Sequence, residues 1–221
     1  METLLQEYDF KLLKGVRNLI GIDEVGRGAL AGPVFTAACR LNQTLFKDKA
    51  SLARTSIMRD SKKMSEKKRM NAFLTLIELK ETGLIDYTIS RASVEEINQR
   101  NILKATLLSM ERSLSSLIVR IDKQVDYMIL VDGKPLSPRV FPFQHKAIVG
   151  GDDRSLSIAM ASILAKVSRD NYMKSLDERF SGYGFSQNKG YGTKCHIESV
   201  LAKGPCAAHR TLFLRKILKS V

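Results

Sequence analysis

The segment Asn18–Val25 (NLIGIDEV) sets two adjacent carboxylates, Asp23 and Glu24, inside a short apolar run otherwise suited to a strand. An unpaired buried carboxylate is very costly, so acids in such a place normally pair or hold a metal. Strand alternation also sends neighbouring residues to opposite faces, unless the backbone bulges or ends there. Gly26 and Gly28 follow at once and favour an ending.

The remaining pattern surrounds this strand with others. Gly32–Leu41 is rich in small and β-branched residues and reads as a second strand, joined to the first by the turn Gly26–Gly32. Lys47–Arg59 is mixed, irregular or helical. Ser65–Lys80 has helical spacing, with Ser65 as its cap. Leu84–Arg91 alternates as a third strand with one wet face. Ser93 and Glu96 form a capping box, and the helix they open is expected to run to about Arg120. Its apolar stripe is Val94, Ile97, Leu103, Leu107, Met110, Leu114 and Leu117. Val125–Val131 is nearly continuous apolar sequence, as in a strand buried on both faces. Lys146–Val149 is a short strand, and Asp152–Phe180 a long helix burying Ile158, Ala161, Ala165 and Val167. Loops and shorter basic helices follow Gly182-Tyr183-Gly184. Strands first paired as hairpins, then alternating with helices, indicate an α/β domain with a mixed sheet.

Two further acids join the candidates. Asp132 closes the apolar run before Gly133, at the carboxyl end of a strand, where open α/β sheets place their sites; it is equally a turn former. Asp170 falls in the long helix; alone it reads as an ordinary helical charge four residues after Lys166. Carboxylates grouped opposite a basic surface suit two-metal phosphodiester hydrolysis, with hard Mg2+ or Mn2+ as the ions. The net charge of +13 favours a polyanionic partner. No run of eighteen apolar residues spans a membrane, the amino terminus does not read as a secretory signal, and the cytoplasm is the expected location. Three cysteines argue against a disulfide framework. Cys195-His196 and Cys206-x-x-His209 match no usual zinc spacing.

With these residues in view, the chain resembles the type 2 ribonucleases H, specifically the ribonuclease HII family. The resemblance lies in Gly21-Ile-Asp-Glu-Val-Gly-Arg-Gly28 with Ala31-Gly-Pro-Val34, in Asp60-Ser-Lys-Lys-Met-Ser65, and in Asn101-Ile-Leu-Lys-Ala-Thr106. It continues through Val131-Asp-Gly133, the helix Ser157–Asp170, Gly190-Tyr-Gly-Thr193 with His196, and Gly204-Pro205 with His209-Arg210. Seven ordered motifs cover roughly residues 18 to 213.

This resemblance implies a ribonuclease H-like fold: a mixed five-stranded sheet flanked by helices, residues 1–180, plus a helical C-terminal extension, 181–221. It implies Asp23, Glu24, Asp132 and Asp170 as the catalytic, metal-binding acids, with Mg2+ or Mn2+. Gly26, Arg27 and Gly28 would meet the ribonucleotide, Tyr191 the neighbouring sugar, and Lys62, Ser162 and Lys166 the phosphates. The implied activity is cleavage of RNA in RNA–DNA hybrids, and 5′ of single ribonucleotides in duplex DNA, leaving 3′-hydroxyl and 5′-phosphate ends. A monomer is expected. A sliding-clamp contact by the tail Thr211–Leu218 is left open, a packed terminal helix being the preferred reading. Met160 stands where the family usually has alanine, and Thr211-Leu212-Phe213 replaces Arg-Ser-Phe. A non-catalytic nucleic-acid-binding protein fits less well, because acids near phosphate only weaken plain binding. The sister ribonuclease HIII carries an extra N-terminal domain, for which the 22 residues before Asp23 are too few.

Overall fold

The computed structural model describes residues 3–122 and 124–218, the side chain of Lys216 excepted. In chain order these form α1 (Leu4–Leu12), β1 (Asn18–Val25), β2 (Val34–Asn42), α2 (Gln43–Lys47), α3 (Lys49–Arg54), α4 (Glu66–Glu81) and β3 (Ile85–Ala92). Then come α5 (Val94–Arg100), α6 (Ile102–Ile118), β4 (Tyr127–Asp132), β5 (Lys146–Ile148), α7 (Leu156–Arg179), α8 (Phe185–Asn188), α9 (Lys194–Lys203) and α10 (Thr211–Leu218). No described helix is long and apolar enough to cross a membrane.

The five strands lie in the order β3-β2-β1-β4-β5, antiparallel from β3 to β1 and parallel from β1 to β5. The mixed sheet expected from the sequence is therefore present, with the acidic strand β1 at its centre. Period-two alternation splits the core. Leu19, Ala37, Cys39 and Leu130 meet α7 and α4 on one face. Ile20, Ile22, Ala38, Ile129 and Val131 meet Leu107, Met110 and Leu114 of α6 on the other. Gly21 marks the crossing of β1 and α7, since a Cβ there would lie 2.2 Å from the Ser157 carbonyl carbon. Met160 is fully buried and sets its sulfur 3.9 Å from that of Cys39, so the larger side chain fills the interior between α7 and β2.

Two helix boundaries differ from expectation. The helix after Ser93 is not continuous: Asn101 takes φ 69 and caps a new helix, α6, by accepting the Lys104 amide. Asparagine tolerates this left-handed conformation better than other non-glycine residues. The break rotates the apolar stripe, so Leu103 is 50% exposed while Ala105 and Thr106 turn inward. The long helix starts later than expected. Gly151–Asp153 is a 3-10 turn, and Ser155 caps α7 by accepting the Ile158 amide. Asp152 is thereby outside the helix. Beyond α7, Phe185, Val200, Ala208 and Leu214 pack on Ala31, Met173 and Leu176. Thr211–Leu218 forms α10, the terminal helix preferred from the sequence.

The buried carboxylate of Asp9 ties α1 to the start of α7, accepting the Ser157 amide at 2.8 Å. Its other oxygen has no partner. Burial, outweighing these hydrogen bonds, pushes Asp9 up to about 6. The folded state thus holds a proton that the unfolded chain releases near 3.8. Stability contributed by this proton is present below that pH and lost as pH rises through about 6. We expect Asp9→Asn to flatten the fall in melting temperature between pH 4 and pH 7, read by thermal unfolding at several pH values. An unchanged slope would mean that Asp9 does not titrate there.

Candidate active site

The pairing of β1 with β4 ends at Ile22 opposite Val131. One residue further, Asp23 and Asp132 stand at the carboxyl ends of neighbouring parallel strands, which run about 4.8 Å apart. On its other side Asp23 is still paired with Ala37 of β2. Asp23 is 4% exposed and accepts the Glu24 amide at 2.7 Å, and Ser162 of α7, in the same cleft, favours its charged form. Burial first, then repulsion from Glu24 and Asp132, holds Asp23 well above the usual carboxylate range. Burial also raises Glu24, against the opposing pull of Arg27, whose guanidinium lies 3.0 Å away. Asp132 is fixed by the Gly151 amide at 2.6 Å. Asp23 and Glu24 serve one cleft despite alternation, because the ladder to β4 has stopped before them.

A further acid stands beside these, Asp152, whereas Asp170 pairs with Lys166. Asp152 is 7% exposed and is pushed up to about 6, by burial first and then by Asp60 and Asp132. Lys62 faces the same group, with Nζ 3.9 Å from Asp152. Burial lowers Lys62, but Asp23, Asp152, Asp60 and Asp132 together outweigh it and raise its proton affinity. Asp170 instead accepts from Lys166 at 2.8 Å. It lies eight residues beyond Ser162, about 12 Å along the helix axis. The pair Gly150-Gly151 before a serine-capped helix was the available signal for Asp152. Starting the helix at that residue hid it.

Asp23, Glu24, Lys62, Ser162, Lys166 and Tyr191 line one cleft of about 460 Å³. The loop after β1 borders it through the Glu24–Arg27 pair. Gly26 has φ 95 and lies directly on the Arg169 guanidinium, where an added Cβ would approach Nε to 2.1 Å. At Gly28 nothing lies within 4 Å of an added Cβ, so its backbone is open to approach. The Tyr191 carbonyl accepts from His196 Nδ1 at 2.8 Å, and its ring lies 5.4 Å from the Arg169 guanidinium carbon.

The donors suit a hard divalent cation: they are carboxylate oxygens, buried, mutually repelling, with Asp23, Glu24 and Asp152 raised in proton affinity. Among the described residues no three acids, histidines or cysteines are drawn in closely enough to encircle an ion. Two of the three histidines form a chain, not a shell: Cys206 Sγ lies 3.2 Å from His209 Nδ1, and His209 Nε2 lies 3.1 Å from His196 Nε2.

The sequence profile of the family Ribonuclease HII matches residues 20–216. Ribonuclease HII of Fusobacterium nucleatum is 41% identical over 221 residues, covering 100% of this chain and 94% of the relative. Ribonuclease HII of Prochlorococcus marinus is 44% identical over 198 residues, covering 90% of this chain and 88% of the relative. Among solved structures, ribonuclease H2 from Pyrococcus horikoshii superposes with a TM-score of 0.69 at 23% identity, over 92% of this chain and 98% of that one. Bst-RNase HIII in complex with Mn2+ gives 0.68 at 20% identity, over 98% of this chain and 73% of that one. The fold is that of the ribonucleases H.

Proposed function

Since the chain belongs to the ribonuclease HII family, hydrolases acting on the RNA strand of RNA–DNA hybrids, we propose that it also cuts on the 5′ side of a single ribonucleotide in duplex DNA. The products would carry 3′-hydroxyl and 5′-phosphate ends. The observation that carries this reading is that Asp23, Glu24 and Tyr191 line one cleft, with Arg27 of the following loop paired to Glu24.

Asp23, Glu24, Asp132 and Asp152 would hold the divalent cations, Mg2+ or Mn2+; the relative crystallised with Mn2+ supports that class of ion. Bound there, such ions activate the attacking water and stabilise the leaving oxygen. Ser162 lies in the same cleft and favours the charged form of Asp23. Lys62 and Lys166 bring positive charge to the phosphate. Glycines at 26 and 28 let the backbone approach the 2′-hydroxyl, the group that distinguishes RNA from DNA. The enzyme would act as a monomer.

The test is cleavage of two labelled duplexes, one an RNA–DNA hybrid and one DNA with a lone ribonucleotide, after EDTA and after readdition of Mg2+ or Mn2+. We expect no cutting with EDTA, cutting of both substrates with either ion, and hydroxyl and phosphate ends as stated. Failure on the lone ribonucleotide would favour a ribonuclease HIII-like specificity. Readdition should also raise the melting temperature, since an ion at a hundred times its Kd stabilises by about 2.7 kcal/mol. For Tyr191→Phe we expect slower turnover with duplex binding nearly intact. Unchanged turnover would remove Tyr191 from the site.

A further inference from the structure

Arg169 and Arg210 are both 0% exposed, and among the described residues neither forms an ion pair with a carboxylate. Burying a charge without a counter-ion is costly. Burial, then the neighbouring Arg169, pulls Arg210 down to about 9, which still leaves it charged at neutral pH. The donors that find partners reach main-chain carbonyls, while Arg210 Nη2 is buried without one. Arg169 donates to Pro33 at 3.1 Å, Ala31 at 3.2 Å and Lys189 at 2.8 Å. Arg210 donates to Gly32 at 2.8 Å and Arg27 at 3.0 Å, and its own amide reaches the Leu30 carbonyl at 2.8 Å. Gly26 O accepts from Ala29 N. Six carbonyls between residues 26 and 33 are thus captured from the protein side, and Lys189 O ties the same fork to the Tyr191 loop. Within that segment the amides of Arg27 and Gly28 have no partner among the described residues.

We propose that Arg169 and Arg210 are positioning residues for ribose recognition: their buried forks turn the carbonyls of Arg27, Ala31, Gly32 and Pro33 inward and so present the free amides of Arg27 and Gly28 to the substrate. This rests on the reading of the cleft given above. Gly26 fits the role, because any side chain there would collide with the Arg169 guanidinium and unseat the fork. Two planar donors reach five carbonyls, which lysine, a single point donor, cannot replace.

The experiment compares wild type with Arg169→Lys and Arg210→Lys. Affinity is measured in chelator, where nothing is cut, for a duplex with one ribonucleotide and for the all-DNA duplex of the same sequence. We expect the wild type to prefer the first duplex by at least tenfold and each folded variant to lose most of that preference. Affinity for all-DNA duplex and for Mn2+ should stay within about threefold of wild type. A folded variant with undiminished preference overturns the proposal while leaving the reading of the cleft intact. A wild type without preference overturns both. If the variants do not fold, the wild type decides through the Nε–H resonances of the two arginines and the amides of Arg27 and Gly28. These should shift with the ribonucleotide duplex and not with the all-DNA one; equal shifts overturn the proposal.

Discussion

Asp23→Asn is expected to abolish cleavage and, in the metal-free protein, to raise the melting temperature. Both effects have one cause. Asp23 is a buried acid pressed by Glu24 and Asp132, and its proton affinity is raised accordingly. At neutral pH its charged form therefore costs stability that the unfolded chain does not lose. Asparagine keeps the oxygen that accepts the Glu24 amide. Ser162 can turn to Ser61, whose Oγ lies 2.9 Å away. The fold thus loses a repulsion and few contacts. About 1 kcal/mol gained would raise the melting temperature by about 2–4 °C in a chain of this size. Cleavage should fall by at least about a thousandfold, or about 4 kcal/mol of transition-state stabilisation. The stabilisation by added Mg2+ or Mn2+ should shrink in parallel. A variant that melts lower and still cuts would mean that Asp23 is a structural acid.

What could be read from the sequence depended on how local the cause was. Asn18–Val25 forms the strand expected of it because apolar residues and two following glycines bound it on both sides. The Ser93–Glu96 capping box is a four-residue event and is present. The break at Asn101 is just as short, yet the apolar periodicity runs across it, so one residue with φ 69 was enough to turn Leu103 to solvent. Lys62, Ser162, Lys166 and Tyr191 arrive in one cleft with Asp23 and Glu24, from four separate stretches of the chain. Arg169 and Arg210 were beyond such reading. In the sequence they look like two more basic residues of a basic chain. Their partners are carbonyls, which carry no side-chain signature, and lie as far as 183 positions away.

Asp152→Asn and Asp170→Asn should part in opposite directions. Asp152 has a raised proton affinity from burial, Asp60 and Asp132, so removing its charge relieves the metal-free fold. Its melting temperature should hold or rise. Cleavage should fall at least about a hundredfold, or about 2.7 kcal/mol, and the added-cation stabilisation should largely disappear. Asp170 is the partner of the half-buried Lys166 at 2.8 Å, with side-chain exposures of 13% and 15%. Removing its charge strands that ammonium, whose proton affinity burial already lowers. The loss should be about 1 kcal/mol, since asparagine keeps an oxygen to accept from Lys166 but not the counter-charge. Turnover measured well below the melting temperature should stay within about fivefold, and the cation should still stabilise. Kinetics and thermal unfolding with and without Mn2+ on the two variants decide the matter. If Asp170→Asn loses cleavage and cation response while Asp152→Asn keeps both, the fourth acid is on the helix after all, and Lys166 must release it when the cation binds.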